Sequence, residues 1–294
     1  MRRTELNVKR GNNKLDKNII SKLKDSTDYI HTVTDRDFDI AIVLGSGLGN
    51  LADELTQTLS IPYKDIPHFP VATAPGHSGT LISGYLGGKS ILCFKGRFHF
   101  YEGYSMDTLV YPELLMHSLG IKNLILTNAS GCLEKKWKIG DLMIIKDHIK
   151  LCSENPLIGY NVEELGPRFF DMSDTYNAEL RVFAKKCADK INLPIREGIY
   201  QYFSGPCFET AAEVAMAKSL GSSAVGMSTV PDAIAANYLG MNILGISCLT
   251  NYGTGISEEK LTTDDVIKAS EKAKDGFILL LKEIMTGWPI IENN

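Results

Sequence analysis

Residues 90–102 have the sequence Ser90-Ile91-Leu92-Cys93-Phe94-Lys95-Gly96-Arg97-Phe98-His99-Phe100-Tyr101-Glu102, an apolar run followed by charged and aromatic side chains. The run lies between Gly87-Gly88 and Gly96, which predicts a buried strand that ends just before Arg97. In α/β proteins, ligands bind where the carboxyl ends of strands meet the following loops. An Arg and a His two residues apart suit an oxyanion such as phosphate, and Glu102 is placed to orient the imidazole. A surface salt bridge beside the strand is the alternative interpretation of these residues.

Similar apolar runs recur along the chain and alternate with segments of helical periodicity. Buried strands are predicted at residues 39–44, 123–127, 142–149, 198–203, 224–227 and 242–249. Helices are predicted at residues 16–31, 107–119 and 177–190, and a long C-terminal helix is predicted to begin at a cap on Thr262 or Thr263. Pro112 is expected to disturb the second of these helices near its start. The alternation predicts one α/β domain over residues 16–294, preceded by a disordered polar extension at residues 1–15.

The composition excludes several classes of protein. The 294-residue chain is 44% hydrophobic and 22% charged, as in ordinary globular proteins. Its net charge of −4 does not favour a nucleic-acid partner. The longest uncharged stretch, residues 233–257, is interrupted by four glycines, so we expect no membrane-spanning segment. The six cysteines lack the spacing of a metal site and several lie in apolar runs, which favours a reducing compartment such as the cytosol.

A glycine-rich turn follows the first predicted strand. Gly45-Ser46-Gly47-Leu48-Gly49 presents backbone N–H groups, which suits anion binding. As a dinucleotide-binding fingerprint it fails, because Asn50 stands where the third glycine belongs. No acidic residue closes the next strand-like run, residues 56–61. A nicotinamide-dependent enzyme is therefore disfavoured.

At least five predicted strands end in small or polar residues that can share one pocket. The motifs, in chain order, are Gly45-Ser46-Gly47-Leu48-Gly49, Gly96-Arg97-Phe98-His99 with Tyr101-Glu102-Gly103, Asn128-Ala129, Gly205-Pro206 with Phe208-Glu209-Thr210, Val225-Gly226-Met227-Ser228-Thr229-Val230-Pro231 and Thr250-Asn251. Together they resemble the purine nucleoside phosphorylases of the trimeric type, from about residue 35 to the end. The resemblance implies one α/β domain with a mixed central β-sheet flanked by helices, and a homotrimer. It also implies phosphorolysis of 6-oxopurine nucleosides such as inosine and guanosine in purine salvage, with inorganic phosphate as co-substrate and no cofactor or metal.

The same resemblance implies roles for individual residues. Those implied for phosphate are Ser46, His77, Arg97, His99, the backbone of Ala129, and Ser228, with His77 on a loop over the site. Those implied for ribose and base are Tyr101, Tyr200, Phe208, Glu209, Val225, Met227, Thr250, Asn251 and Thr263. His99, Glu209 and Asn251 are the implied catalytic residues. Phe169 resembles the aromatic residue that family members lend to the neighbouring subunit.

The chemistry of two of these residues suits a 6-oxopurine. A Glu209 carboxylate accepts hydrogen bonds, which matches the N1–H and 2-amino donors of such a base. The Asn251 amide can donate to N7 and the 6-oxygen as negative charge builds on the departing base. Adenine presents an acceptor at N1, which would face the carboxylate repulsively.

Structural roles are the alternative for several of these residues. Ser46 and Asn128 can simply shape turns, His77 can be an ordinary loop residue, and Glu209 can cap the following helix. The residues that would otherwise be ordinary core side chains are Phe208, Val225 and Met227. The chain also departs from the family at Ser130, Cys132 and Cys207, where we expect the small changes to be tolerated. A larger departure is Thr263, which stands where the family has the histidine that meets the ribose 5′-hydroxyl.

Three functions remain open from the sequence. The first is a purine nucleoside phosphorylase. The second is a phosphorylase of 5′-methylthio nucleosides, which Thr263 favours and the pairing of Glu209 with Asn251 disfavours. The third is a non-catalytic protein that binds nucleosides in the same pocket.

Overall fold

A computed structural model describes residues 18–71, 78–159, 161–257 and 263–291, with the backbone alone for residues 263–267. The predicted extension at residues 1–15 and the predicted phosphate ligand His77 lie outside the described residues. Within them, no helix is long and apolar enough to cross a membrane.

The described residues form a mixed sheet of nine strands. The strands are β1 (Ile40–Leu44), β2 (Thr56–Pro62), β3 (Thr80–Leu86), β4 (Lys89–Lys95), β5 (Asn123–Cys132), β6 (Leu142–Lys150), β7 (Ile195–Tyr202), β8 (Ala224–Gly226) and β9 (Asn242–Tyr252). Their order is β2-β3-β4-β1-β5-β8-β7-β6-β9, and β5 also pairs with β9. The last five strands in this order, β5 to β9, therefore form a closed ring. The other four strands continue the sheet from β5 and end at the free edge strand β2.

Strand β1 lies at the centre of the molecule and all five of its residues are buried. It runs parallel to both neighbours, with Leu44 opposite Lys95 of β4 and Val43 opposite Leu126 of β5. The carboxyl ends of β1 and β4 consequently meet at one edge of the sheet, beside the middle of the longer strand β5. The glycine-rich turn after β1 and the Arg97 loop after β4 leave the sheet side by side at that edge.

The helices cover both faces of the sheet. They are α1 (Ile19–Val33), α2 (Met106–Leu109), α3 (Tyr111–Ser118), α4 (Ala178–Lys190), α5 (Ala211–Ser219), α6 (Val230–Tyr238) and α7 (Thr263–Thr286). Alternate side chains of β1 point to opposite faces. Val43 packs in the core that contains α1, α3 and α6, whereas Ile42 packs in the core that contains α4 and α7. The predicted α/β domain with a mixed, helix-flanked sheet is confirmed.

Some predicted boundaries are wrong. Residues 128–131, expected as a turn, continue β5, because Asn128 pairs with Ser247 and the ladder with β9 extends to Cys132 and Tyr252. Strand β9 likewise continues through Thr250-Asn251, where the sequence predicts its end. The predicted helix at residues 107–119 is two helices, and Pro112 occupies the first turn of the second. Helix α7 includes Thr263, but the proposed cap residue Thr262 and the Thr263 side chain lie outside the described residues.

Candidate active site

Arg97 connects several chain segments at the carboxyl edge of the sheet through hydrogen bonds and an ion pair. Its side chain is only 3% exposed. Nη1 donates to the carbonyl oxygen of Thr127 at 2.8 Å, to Ser228 Oγ at 3.0 Å and to Thr229 Oγ1 at 3.1 Å. Nη2 lies 3.0 Å from Asp232 Oδ2. One guanidinium thus fixes the loop after β4 and the middle of β5 against the start of α6, and it places a buried positive charge at their junction.

His99 is held in place by Glu102. The backbone N–H of His99 donates to Glu102 Oε1 at 2.7 Å, and Nδ1 of the imidazole lies 3.1 Å from the same oxygen. The ring of Tyr101 stacks on the imidazole, with the centroids 4.7 Å apart and the planes 15° from parallel. Burial raises the pKa of Tyr101 to about 12, with a contribution from the Glu102 charge, so the phenol is neutral near pH 7. The sequence prediction that Glu102 orients the imidazole is confirmed.

The glycine-rich turn is tied to β5 by a buried hydroxyl. Thr127 Oγ1 accepts a hydrogen bond from the Gly45 N–H at 3.0 Å and donates one to the Val43 carbonyl at 2.9 Å. A Cβ atom on Gly45 would lie 2.6 Å from the Cα of Asn128, so only glycine fits there. The half-buried Ser46 follows directly, next to the segment that contains Ala129. Both predicted phosphate contacts therefore lie at the same edge as Arg97.

Thr229 forms a strained turn that organises this junction. Its φ of 70° and ψ of −43°, with a 2.7 Å hydrogen bond from the Val230 N–H to the Ser228 carbonyl, define a γ-turn of the rare, strained kind. The Thr229 hydroxyl accepts from Asn128 Nδ2 at 2.9 Å as well as from Arg97. Such backbone strain persists where the surroundings enforce it, and it concentrates at functional sites.

Sequence reasoning missed two of these organising residues. Thr229 and Asp232 belong to Ser228-Thr229-Val230-Pro231-Asp232, which has the local pattern of a strand end followed by a helix start. The turn interpretation of Asn128 is wrong, since Asn128 lies inside β5 and its buried amide holds Thr229. The sequence offers no local signal for this role, because Asn128 stands among other small and polar residues, Thr127 and Ser130.

The residues implied for ribose come together. A Cβ atom on Gly205 would lie 2.5 Å from the sulfur of Met227 and 3.0 Å from the ring of Tyr101, so these two side chains flank the same spot. Tyr200 lies behind them, because a Cβ atom on Gly226 would be 2.2 Å from its hydroxyl oxygen. That hydroxyl also accepts a long hydrogen bond of 3.4 Å from the Ser228 N–H. The ribose and phosphate residues are therefore physically connected.

The residues implied for the base lie nearby and are less constrained. Asn251 Nδ2 and Val225 Cγ2 would each be 3.1 Å from a Cβ atom on Gly131, so both line one spot beside β5. The Asn251 amide accepts from Thr250 Oγ1 at 2.9 Å and donates to the Tyr252 carbonyl at 3.1 Å. Both bonds are local, because they join Asn251 to its two neighbours in the chain.

Glu209 is a nearly buried carboxyl without full hydrogen bonding. It is 8% exposed, and its Oε1 has no hydrogen-bond partner among the described residues. Burial raises its pKa above the ordinary value. Its predicted alternative role as a helix cap is wrong, since Thr210 caps α5 by accepting from the Glu213 N–H. A core role is also wrong for the neighbouring Phe208, which is 45% exposed.

Three predicted residues are not brought into this site by the described structure. His77 and the Thr263 side chain lie outside the described residues. Phe169 lies on the loop between β6 and α4 and is 88% exposed.

Residues 39–286 match the phosphorylase superfamily. This chain belongs to that superfamily. It is 49% identical to purine nucleoside phosphorylase 1 of Bacillus subtilis over 246 residues, which cover 84% of this chain and 91% of that relative. It is 39% identical to the purine nucleoside phosphorylase of Rattus norvegicus over 273 residues, which cover 88% of this chain and 93% of that relative.

Solved structures agree with this family assignment. The Schistosoma mansoni purine nucleoside phosphorylase in complex with adenosine has a TM-score of 0.88 to this phosphorylase at 36% identity, covering 92% of this chain and 99% of that one. The complex of a Schistosoma mansoni enzyme with inosine has a TM-score of 0.87, also at 36% identity. The resemblance to purine nucleoside phosphorylases, predicted from the motifs, is confirmed.

Proposed function

We propose that this phosphorylase cleaves the N-glycosidic bond of 6-oxopurine ribo- and deoxyribonucleosides with inorganic phosphate, giving the free base and the sugar 1-phosphate. The observation that carries the proposal is the Arg97 guanidinium, which is buried and hydrogen-bonded to Ser228 at the meeting point of the predicted phosphate loops. A fixed cation at that position suits a dianionic co-substrate. The reaction uses no metal or organic cofactor.

The mechanism follows from where charge develops. Breaking the bond leaves positive charge on the sugar and negative charge on the base. Phosphate held by Ser46, Arg97, His99, Ser228 and the backbone of Ala129, with His77 as a further ligand implied by the resemblance, stabilises the oxocarbenium-like sugar and then captures it. Positioning and preorganised charge supply most of the acceleration in such a site.

The base is recognised by Glu209 and Asn251. The N1–H donor of a 6-oxopurine supplies the partner that Glu209 Oε1 lacks among the described residues. A 6-aminopurine offers an acceptor there, so the carboxylate remains unsatisfied. Asn251 stabilises the leaving base by donating to N7 or the 6-oxygen, whereas Phe208 and Val225 wall the ring. The Schistosoma mansoni enzyme has been solved in complex with adenosine, which is a finding about binding to that protein. The preference proposed for this chain is a preference in turnover.

A homotrimer completes the pocket in this proposal. An aromatic side chain that is 88% exposed, as Phe169 is, loses much of its contact with water when a second copy covers it. Three chains of 32.4 kDa give 3 × 32.4 = 97.2 kDa. The six cysteines lie among the described residues as free thiols, which supports the cytosol as the site of action.

Two alternatives are separated by one assay. Inosine, adenosine and 5′-methylthioadenosine are each incubated with and without phosphate, and the free base is quantified. We expect release from inosine that depends on phosphate and exceeds release from adenosine by about 10⁴-fold in kcat/KM, since a site built to bond a substrate donor discriminates by that order. Preferred turnover of the 5′-methylthio nucleoside would support the second function, and absence of any phosphate-dependent release would support a binding protein.

A further inference from the structure

A buried carboxyl, that of Glu113, lies within electrostatic reach of both Arg97 and Asp232. Helix α3 packs against α6 and contributes Glu113, which is 1% exposed. Its Oε2 has no hydrogen-bond partner among the described residues. Asp232 of α6 is already paired with the guanidinium, at 3.0 Å from Nη2. Two acidic side chains therefore share one buried cation.

Arg97 is the one cation among the described residues that acts electrostatically on Glu113. The His99 imidazole, on the same loop after β4, faces Asp232 instead. The phenols of Tyr63 and Tyr176, which also lie within electrostatic reach of this cluster, are kept neutral because burial raises their pKa values well above normal. The Glu113 carboxyl accepts a hydrogen bond from its own backbone N–H, whereas Oε2 has no partner among the described residues. A buried carboxylate that is incompletely hydrogen-bonded and has no counter-ion of its own is costly, and protonation removes that cost.

We propose that Glu113 is a protonated carboxylic acid in the working enzyme and acts as a positioning residue for phosphate. With Glu113 neutral, Arg97 is balanced by Asp232 alone, and phosphate meets the guanidinium without a second negative charge nearby. This role rests on the proposed function, because it concerns the phosphate site assigned there.

Electrostatics supports the direction of this assignment. Burial, and next the negative charge of Asp232, raise the pKa of Glu113 well above normal, and Arg97 only partly offsets them. An acid whose pKa is raised on folding binds its proton more tightly in the native state. The associated stability is therefore present at low pH and is lost as the pH rises towards the folded-state pKa.

Infrared spectroscopy of the full-length protein tests the protonation state without requiring activity. The variants are Glu113→Gln and, as a matched control, Glu163→Gln, which alters an exposed glutamate. At pH 7 we expect the wild type to have a carbonyl band of a protonated carboxyl that Glu113→Gln lacks and Glu163→Gln retains. A Glu113→Gln difference spectrum that contains only carboxylate bands would overturn the proposal.

Kinetics and stability test the positioning role. Glutamine imitates the protonated acid but cannot ionise, so we expect Glu113→Gln to fold and its KM for phosphate to rise less than that of the wild type as the pH increases from 7 to 9. Its melting temperature should gain on that of the wild type as the pH rises from 7 to 9. Loss of folding, or a KM for phosphate raised 10-fold or more at pH 7, would overturn the proposal. If wild type and variant both lack phosphorolysis, the proposed function fails, and the infrared result still decides the state of Glu113.

Discussion

The proposed phosphate side of the pocket, around Arg97, and the proposed purine side, around Glu209, are built differently. On the phosphate side, Arg97, Thr229 and Asp232 are buried and bonded to one another. On the purine side, Phe208 is largely exposed, Glu209 has an oxygen without a partner among the described residues, and Asn251 makes local bonds only. The proposed phosphate side is thus part of the folded core, whereas the proposed purine side has polar groups that a bound base could satisfy. Stability and activity should therefore be coupled on the first side and separable on the second.

Arg97→Gln tests the coupled side and has the largest expected effect. Removal of the guanidinium leaves Asp232 buried without its counter-ion, and breaking such a pair costs about 3–5 kcal/mol of unfolding free energy. We also expect kcat/KM for inosine to fall by about 10³-fold or more, because a preorganised charge is lost. Denaturant unfolding and steady-state kinetics measure both. Arg36→Lys is the control, since Arg36 bonds the Gln57 carbonyl away from the site. An active, fully stable Arg97→Gln would show that the two properties are not linked here.

Glu209→Gln tests the separable side. We expect kcat/KM for inosine to fall by about 10²-fold, because the N1–H would bond a neutral amide oxygen instead of a carboxylate. A loss of this size is typical when one polar contact to the transition state is removed. The melting temperature should not fall, because the variant removes a carboxyl that burial disfavours.

Asn251→Asp should shift preference towards 6-amino bases, because a protonated carboxyl can both donate and accept. A marked loss of stability in either variant would place these residues in the core and contradict the comparison.

Thr229 offers a smaller and more selective test. Thr229→Val keeps the side-chain shape but removes the hydroxyl that accepts from Asn128 and Arg97, at an expected cost of about 1–3 kcal/mol in stability. We expect a fall of about 10-fold in kcat/KM, since one donor of Arg97 loses its acceptor. Thr229→Ser keeps the hydroxyl and serves as the matched control. Equal behaviour of the Val and Ser variants would mean that the hydroxyl does not organise the site.

The smallest expected effect is at the ribose 5′ end. Thr263→His should increase discrimination between inosine and 5′-deoxyinosine by about 2–10-fold, the equivalent of one hydrogen bond of 0.5–1.5 kcal/mol. Both substrates are compared by kcat/KM in the wild type and the variant. Strong discrimination by the wild type, unchanged in Thr263→His, would mean that another residue holds the 5′-hydroxyl.

The sequence predicted those parts of the fold that depend on local pattern. Local sequence alone indicates the apolar strands β1 and β4 and the glycine-rich turn that follows β1. The extension of β5 through Asn128 was missed, because polar small residues have the pattern of a turn and only pairing with Ser247 makes them a strand. Long-range pairing of this kind is not visible in local composition.

The site follows the same division. Arg97 and His99 were predicted because they directly follow a strand. Asp232 and Glu113 matter only because folding brings them near Arg97, which the sequence around them does not show. Glu113 has one local signal, a charged residue within a helix whose neighbours Leu114, Leu115 and Met116 are buried. That signal indicates an unusual environment but not its partner.

Hydrogen–deuterium exchange of the ligand-free protein tests the contrast between the two sides most directly. We expect slow exchange at residues 226–232, where the Ser228 and Val230 amides are hydrogen-bonded, and fast exchange at residues 204–209. Added phosphate and hypoxanthine should slow exchange at residues 204–209 and leave residues 226–232 almost unchanged. Equally fast exchange of both segments in the free protein, or a ligand effect confined to residues 226–232, would contradict a phosphate side that is built before the ligand arrives.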